Sequence, residues 1–260
     1  VTIMPGKPTV LGVINNKPVV GNPGYTVSAI MSFEKFVQPL IFRMLGIQEP
    51  VRPKIKVRTA RKMASKLGIE EFVRVKLGRV KDTVVASSLP RGAGSVTTLT
   101  EADGIVRIPN HVEGINAGES VEAELLKDLR EIENTVVVVG SHDNTLDIVA
   151  NQMRVRDFRF SISSSNVGSL GGLIALRNGY CHAAGSHLLD TTTGTYNISY
   201  VERYLPDLRV KLVNLVYRQQ GLIVPRGNPK GITGIKDLTR DDITFINRQA
   251  GSGTRVLLDY

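Results

Sequence analysis

The chain has 260 residues, 22% charged and 42% hydrophobic, which is ordinary globular usage with room, at about 100–200 residues per domain, for one to three separately cored domains. No stretch approaches the roughly 18 uncharged apolar residues of a membrane span, Val1-Thr2-Ile3-Met4 lacks a secretory pattern, and the single Cys181 has no internal disulfide partner, so a soluble protein of the reducing cytoplasm is expected. The net charge of +9 would suit nucleic acid, but the basic residues cluster between Arg52 and Lys81 without helix-turn-helix, zinc or aromatic-plus-basic patterns, which favours a solvated or partner-facing surface.

Residues 9–14 and 18–20 read as two short strands joined by the turn Asn15-Asn16-Lys17. After a Gly/Pro loop, Ile30, Phe33, Phe36, Val37, Leu40, Ile41 and Met44 recur at helical spacing, predicting an amphipathic helix kinked near Pro39 and ended by Gly46. A linker at 50–53 leads to five short strands at 55–59, 71–77, 83–87, 104–108 and 120–125, the pattern of a small barrel or sandwich. The charged stretch 124–133 reads as a helical connector. The pattern then changes: 136–139 is an unbroken valine run, suited to a parallel strand buried on both faces. Helices at 146–153 and 170–177 enclose a strand at 158–162, and 181–184, a helix around Tyr200 and Tyr204, and 210–216 continue the alternation, so this half reads as α/β with a mainly parallel sheet. A helix around 235–238, a strand at 243–247 and the opening of a helix after Gly253 complete the chain. Without an initiator Met, and with Tyr260 falling in the first turns of a helix, the sequence reads as a piece of a longer protein.

Four loops of the second half share one arrangement, in which the carboxyl end of a strand meets Gly, Ser or Thr before a helix begins. They hold Ser141 and His142; Ser163, Ser164 and Ser165 with Gly168 and Ser169; Ser186 and His187; and Gly251, Ser252, Gly253 and Thr254. Helix N-termini present unpaired backbone N–H groups and partial positive charge, worth roughly 0.3–1 kcal/mol each to an exposed anion and about 2 kcal/mol when partly buried. In open α/β sheets ligands gather outside the strand carboxyl ends. Any one of these loops is also a plain N-cap, and either histidine a cap or a core residue, so the anion reading rests on four loops occurring together. No His, Cys and carboxylate set has metal-ligand spacing.

Two further loops lie near the N-terminus. Pro5-Gly6-Lys7-Pro8 offers a lysine point charge, and Gly21-Asn22-Pro23-Gly24-Tyr25, ahead of Ser28, offers free backbone N–H groups and a hydroxyl at a helix start; both are also ordinary Gly/Pro turns.

Two resemblances organise these readings. Residues 135–260 resemble the type II periplasmic-binding-protein fold in its cytoplasmic form, as in the substrate-binding domains of LysR-type regulators and molybdenum-cofactor proteins. The likeness rests on GSHD at 140–143, SSSNVGSLGG at 163–172, AAGSHLLD at 183–190 and NRQAGSGTRVLLD at 247–259. It implies that 213–224 carry a crossover into a second, incomplete lobe. Residues 1–126 resemble the last part of molybdopterin molybdenumtransferase, the MoeA and gephyrin family, on PGKPTVLG at 5–12, GNPGYTVSA at 21–29, VQPL at 37–40 and RGAGSVTTLTEADGIVRIP at 91–109. That resemblance implies catalytic roles for Lys7, Pro23 and Ser28, contacts to pterin phosphate or metal from Gly6, Gly21, Gly24 and Ser95, magnesium and molybdopterin as cofactors, and a homodimer. Met4 and Thr26 stand where many relatives have a basic residue and a second proline.

The expected fold is therefore multidomain: the tail of an α/β catalytic domain (1–46), a small β-barrel domain (47–126) and a truncated periplasmic-binding-protein-like α/β domain (133–260). The expected function is insertion of molybdate or tungstate into adenylylated molybdopterin, with a fused domain that captures the oxyanion. The alternative is a non-enzymatic small-ligand sensor of the LysR substrate-binding type. Because the family's earlier acidic catalytic domain would precede Val1, these residues alone are expected to be inactive.

Overall fold

The computed structural model describes residues 1–92, 94–248 and 253–260. It divides into two compact units, Val1–Ser186 and His187–Tyr260.

The first unit opens with β1 (Ile3–Met4) and a hairpin of β2 (Val10–Ile14) and β3 (Lys17–Gly21). Asn15 and Asn16 both have positive φ, 50° and 58°, the conformation that lets a two-residue turn match the twist of its strands. A helical run follows in three pieces: α1 (Thr26–Ser32), a π-helical segment (Phe33–Val37) and α2 (Gln38–Leu45), ended by Gly46 at φ 67°. Pro39 lacks the N–H that an α-helix would require of it, and the hydrogen-bond ladder widens just before it. The expected kink is thus a π segment.

The barrel comprises β4 (Lys54–Thr59), β5 (Met63–Ala64), β6 (Glu70–Val80), β7 (Thr83–Ser88), a short helix α3 (Thr97–Glu101), β8 (Gly104–Ile108), β9 (Gly114–Ile115) and β10 (Ser120–Leu125). Strands run in the order β6-β7-β4-β10-β8, and β8 closes back on β6, while β1 adds parallel to β6 with Met4 opposite Glu71. Val57, Val73, Val75, Leu77, Val106, Ile108 and Ala123 fill the interior, and each buried Val or Leu contributes about 1.5–3 kcal/mol. In β4 the alternation is direct: Val57 is buried while Lys54, Lys56 and Arg58 face outward. The five expected strands are all present.

One buried acid ties the barrel together. Asp103, 2% exposed, accepts from Lys76 Nζ at 3.3 Å and Lys127 Nζ at 2.9 Å on Oδ1, and from the Leu77 N–H at 2.9 Å on Oδ2. It thereby links β6, the start of β8 and the segment after β10.

The connector is shorter than its charge pattern predicts, because Glu124 and Leu125 still pair within β10. Only α4 (Leu129–Glu133) is helical, and Asp128 caps it by accepting from the Arg130 N–H. Next come β11 (Thr135–Gly140), α5 (Thr145–Arg156), β12 (Ser161–Asn166), α6 (Ser169–Arg177) and β13 (Ala183–Gly185), with the three strands parallel in the order β12-β11-β13. The strand expected at 158–162 begins later. Asp157 accepts from the Arg159 N–H and pairs with its guanidinium, so this segment turns before it extends.

The valine run faces the barrel wall. Val137 and Val139 share an apolar cluster with Ala60, Val80, Val85, Ala175 and Cys181, and a Cβ on Gly78 would stand 2.4 Å from a Val137 methyl. Packing is therefore continuous across residues 126–133, and the stretch expected as domain 133–260 falls in both units.

The second unit contains α7 (Ile198–Tyr204), a 3-10 helix (Ile235–Thr239) and α8 (Gly253–Asp259). A bridge between Leu189 and Tyr196 closes a turn in which the Asp190 carboxylate accepts from the Thr192 N–H at 2.9 Å. The strands expected at 210–216 and 243–247 do not form. Among the described residues neither stretch has a pairing partner, and Val213 (75%) and Ile246 (89%) lie open. An apolar run becomes a strand only when a neighbouring edge takes its hydrogen bonds.

Candidate functional site

The carboxyl edge of the three-stranded sheet is built by close backbone approach. Gly140 lies in register with Asn166 of β12 and Gly185 of β13. The Ser141 N–H donates to the Gly185 carbonyl at 2.8 Å, and the Val167 N–H donates to the Gly140 carbonyl at 3.0 Å. A Cβ on Gly140 would stand 2.4 Å from the Gly185 oxygen, one on Gly172 2.7 Å from Gly140 Cα, and one on Gly185 2.2 Å from the Ser141 oxygen. Only glycine fits at these positions, and Gly140 also holds φ 140°. The outcome is that the first turn of α6 sits on the strand ends. Gly168, at φ 79°, precedes that helix and supplies no side-chain cap. The first-turn amides have no partners within the helix.

Three of the predicted loops meet at this edge, with a shift of residues. Ser141 and Ser186 are half-buried there. Ser163, Ser164 and Ser165, expected in the loop, lie inside β12: Ser163 (2% exposed) and Ser165 (4%) are buried, and Ser164 is exposed on the opposite face. The loop is formed instead by Val167 and Gly168. The Ser163 hydroxyl is buried without a hydrogen-bond partner among the described residues. His142 is exposed. At the start of α5 the Asp143 carboxylate accepts from the Thr145 N–H at 2.9 Å, so the protein's own anion occupies that helix end. Sequence reasoning missed Gly172 and the capping role of Asp143. A glycine inside a helical pattern, and Asp two residues before a helical threonine, were the available signals.

In the second unit, His187 and the start of α8 come together: a Cβ on Gly253 would stand 2.5 Å from His187 Nε2. Burial, and then the charge of Arg218, hold the His187 imidazole below its ordinary pKa. Thr254 is exposed, and Gly251 and Ser252 lie outside the described residues.

The N-terminal candidates gather differently. Gly6 takes φ 123°, and its carbonyl accepts from both the N–H and the hydroxyl of Thr9 at 2.9 and 2.7 Å, closing the turn that carries exposed Lys7. Gly21 ends β3, Pro23 is buried, Gly24 is exposed, and Ser28 is buried on the inner face of α1 with Val27 and Met31. Ser95 closes a turn on Gly92, donating its N–H to that carbonyl at 3.1 Å. Met4, just before the 5–8 loop, stands opposite Glu71 in the β1–β6 pair, and Arg91 forms an ion pair with the Glu71 carboxylate at 3.0 Å. Arg74, only 4% exposed, donates to the Pro90 carbonyl at 3.0 Å, and burial lowers its pKa. Among the described residues no group of three or more His, Cys, Asp or Glu could hold a metal ion.

Residues 56–126 match the family model of the MoeA C-terminal region (domain IV), and residues 150–260 match that of a PBP superfamily domain. The chain is thus similar to a MoeA C-terminal region followed by a PBP superfamily domain. The MoeA match coincides with the closed barrel, and the PBP match begins within α5. A Bacillus subtilis protein called uncharacterised, YvgK, is 42% identical over 123 residues, 47% of this chain and 40% of that protein. A Methanocaldococcus jannaschii protein named for molybdopterin biosynthesis, MJ0666, is 39% identical over 127 residues, 49% of this chain and 29% of its own length. The solved molybdopterin biosynthesis MoeA protein of Pyrococcus horikoshii is 40% identical, covering 49% of this chain and 31% of that one, with a TM-score of 0.40. The chain thus spans less than half the length of these relatives. No described helix is long and apolar enough to cross a membrane.

Proposed function

We propose that the protein acts in molybdenum cofactor biosynthesis, its MoeA-related part contributing to insertion of molybdate or tungstate into adenylylated molybdopterin and its PBP part capturing the oxyanion. The observation that carries the second half is the convergence of Gly140-Ser141, the first turn of α6 and Gly185-Ser186 at one sheet edge. The backbone amides of the α6 first turn and the Ser141 and Ser186 hydroxyls are the donor types that suit a tetrahedral dianion. Neutral donors desolvate and hold it without a mobile counter-charge, and insertion then depends on placement and electrostatic stabilisation. His187 and the α8 end are assigned to the same ligand on the resemblance alone. Lys7, Pro23 and Ser28 are assigned catalytic roles and Gly6, Gly21, Gly24 and Ser95 contacts to pterin phosphate or metal, and the anchoring of β1 and of Arg91 at Glu71 supports placing them together. Magnesium, the cytoplasmic setting and homodimerisation through 1–126 belong to the same proposal.

Calorimetric titration of the 260-residue chain with molybdate and tungstate tests the capture role. Saturable heat lost in Ser141→Ala/Ser186→Ala supports it; absence of heat at millimolar oxyanion removes it. Binding of an uncharged or organic solute in place of oxyanion would favour a small-ligand sensor, a reading to which the PBP match also lends support.

A further inference from the structure

A cavity of about 350 Å³ lies in the outer wall of the barrel, where β4 and β7 part. These strands pair parallel only at Arg58↔Val85 and Thr59↔Ala86, so residues 55–57 stand apart from 82–84, and Leu129 of α4 lines the gap. Three cations border it, Lys56, Arg58 and Arg79, together with the hydroxyl residues Thr83 and Ser120. Asp82 is the one carboxylate in the lining, leaving it two positive charges in excess.

Carboxylates just outside the lining offset part of this charge. Arg58 Nη1 donates to the Gly118 carbonyl at 3.0 Å, and Glu122 faces Lys56 across the β4–β10 pair. Arg79 Nε is buried and has no hydrogen-bond acceptor among the described residues. The Glu133 carboxylate stands 3.6 Å from it, close enough for attraction and too far for a hydrogen bond. A buried guanidinium nitrogen without an acceptor, at the edge of a cationic cavity, calls for an oxygen that the protein does not supply.

We propose that this cavity binds a small phosphomonoester, its dianion held by Arg58, Arg79 and Lys56 and its apolar body laid against Ile55, Val84 and Leu129. Guanidinium forks match phosphate oxygens, and a dianion competes with Glu133 for Arg79. The volume is near the lower end for small-molecule sites, which fits a compact ester and excludes a polymer. The apolar lining distinguishes an ester from free phosphate. This site lies on β4, β6, β7 and β10, separate from the β11–β13 edge.

The test is titration of the 260-residue chain with phenyl phosphate, inorganic phosphate and phenol. Phenyl phosphate is expected to bind more tightly than phosphate, and phenol not at all. Arg58→Ala/Arg79→Ala should weaken phenyl phosphate about thirtyfold with an unchanged circular dichroism spectrum. A readout free of variants is the rate at which phenylglyoxal modifies Arg79, followed by mass spectrometry; phenyl phosphate should slow it. Equal affinity in the double variant, unprotected Arg79, or phosphate binding as tightly as its phenyl ester would overturn the proposal.

Discussion

Replacing Asp103 by alanine should cost the first unit about 3 kcal/mol. The carboxylate is 3% exposed and serves three donors at once, the ammonium groups of Lys76 and Lys127 and the amide of Leu77. Removing one member of a buried ion pair costs about 3–5 kcal/mol, and leaving a buried amide without a partner about 1–3 kcal/mol. Lys76 and Lys127, at 13% and 25% exposed, can partly recover water, which sets the total near the lower bound. With a urea slope of about 2 kcal/mol/M, the unfolding midpoint should fall by roughly 1.5 M. Asp103→Asn keeps an acceptor for the amide and loses only the charge, so it should fall between alanine and the parent. Urea titration followed by circular dichroism measures all three. A loss below about 0.5 kcal/mol for the alanine variant, the level of a surface pair, would refute the reasoning.

Gly140→Ala should destabilise the same unit by about 1–3 kcal/mol, because its Cβ meets the Gly185 oxygen at 2.4 Å. Gly12→Ala, where a Cβ meets nothing within 4 Å, is the neutral control in the same thermal melt. Cys181 is 4% exposed and burial pushes its thiol up to about 11, so roughly one molecule in a thousand is thiolate at pH 8. A disulfide reagent should therefore label it slowly until the protein is unfolded, and labelling within seconds would contradict its burial. For His187 the folded pKa lies below the unfolded value, so the unfolded chain takes up the proton first as pH falls. Its contribution is complete above about pH 6.5 and disappears as pH drops through the folded pKa. Stability measured against pH should lose that step in His187→Gln, and imidazole NMR should show a pKa below that of a free histidine.

The barrel was legible because each strand alternates: Lys54, Lys56 and Arg58 point out while Ile55 and Val57 point in, and closure supplies every strand with neighbours. The valine run of β11 was equally plain, since it is covered on both faces. Stretches 210–216 and 243–247 carry the same apolar character, yet strand formation depends on a distant edge that periodicity does not encode. At the site, Gly140, Gly168 and Gly185 stood out as backbone positions, whereas the serines at 163–165 were misplaced because the Asp157–Arg159 turn delays β12 by three residues. Asp143 acts against the anion reading at one loop, an effect visible only once its carboxylate is seen on the α5 amide. Gly172 escaped notice because its role, contact with Gly140, is made between elements.

The most direct measurement of the central claim is an anomalous difference map at the tungsten edge from crystals of the chain soaked in tungstate. The account predicts a peak within hydrogen-bond reach of the α6 first-turn amides and the Ser141 hydroxyl, at the carboxyl edge of β11. Tungsten bound elsewhere on the chain, or none at saturating tungstate, would contradict it.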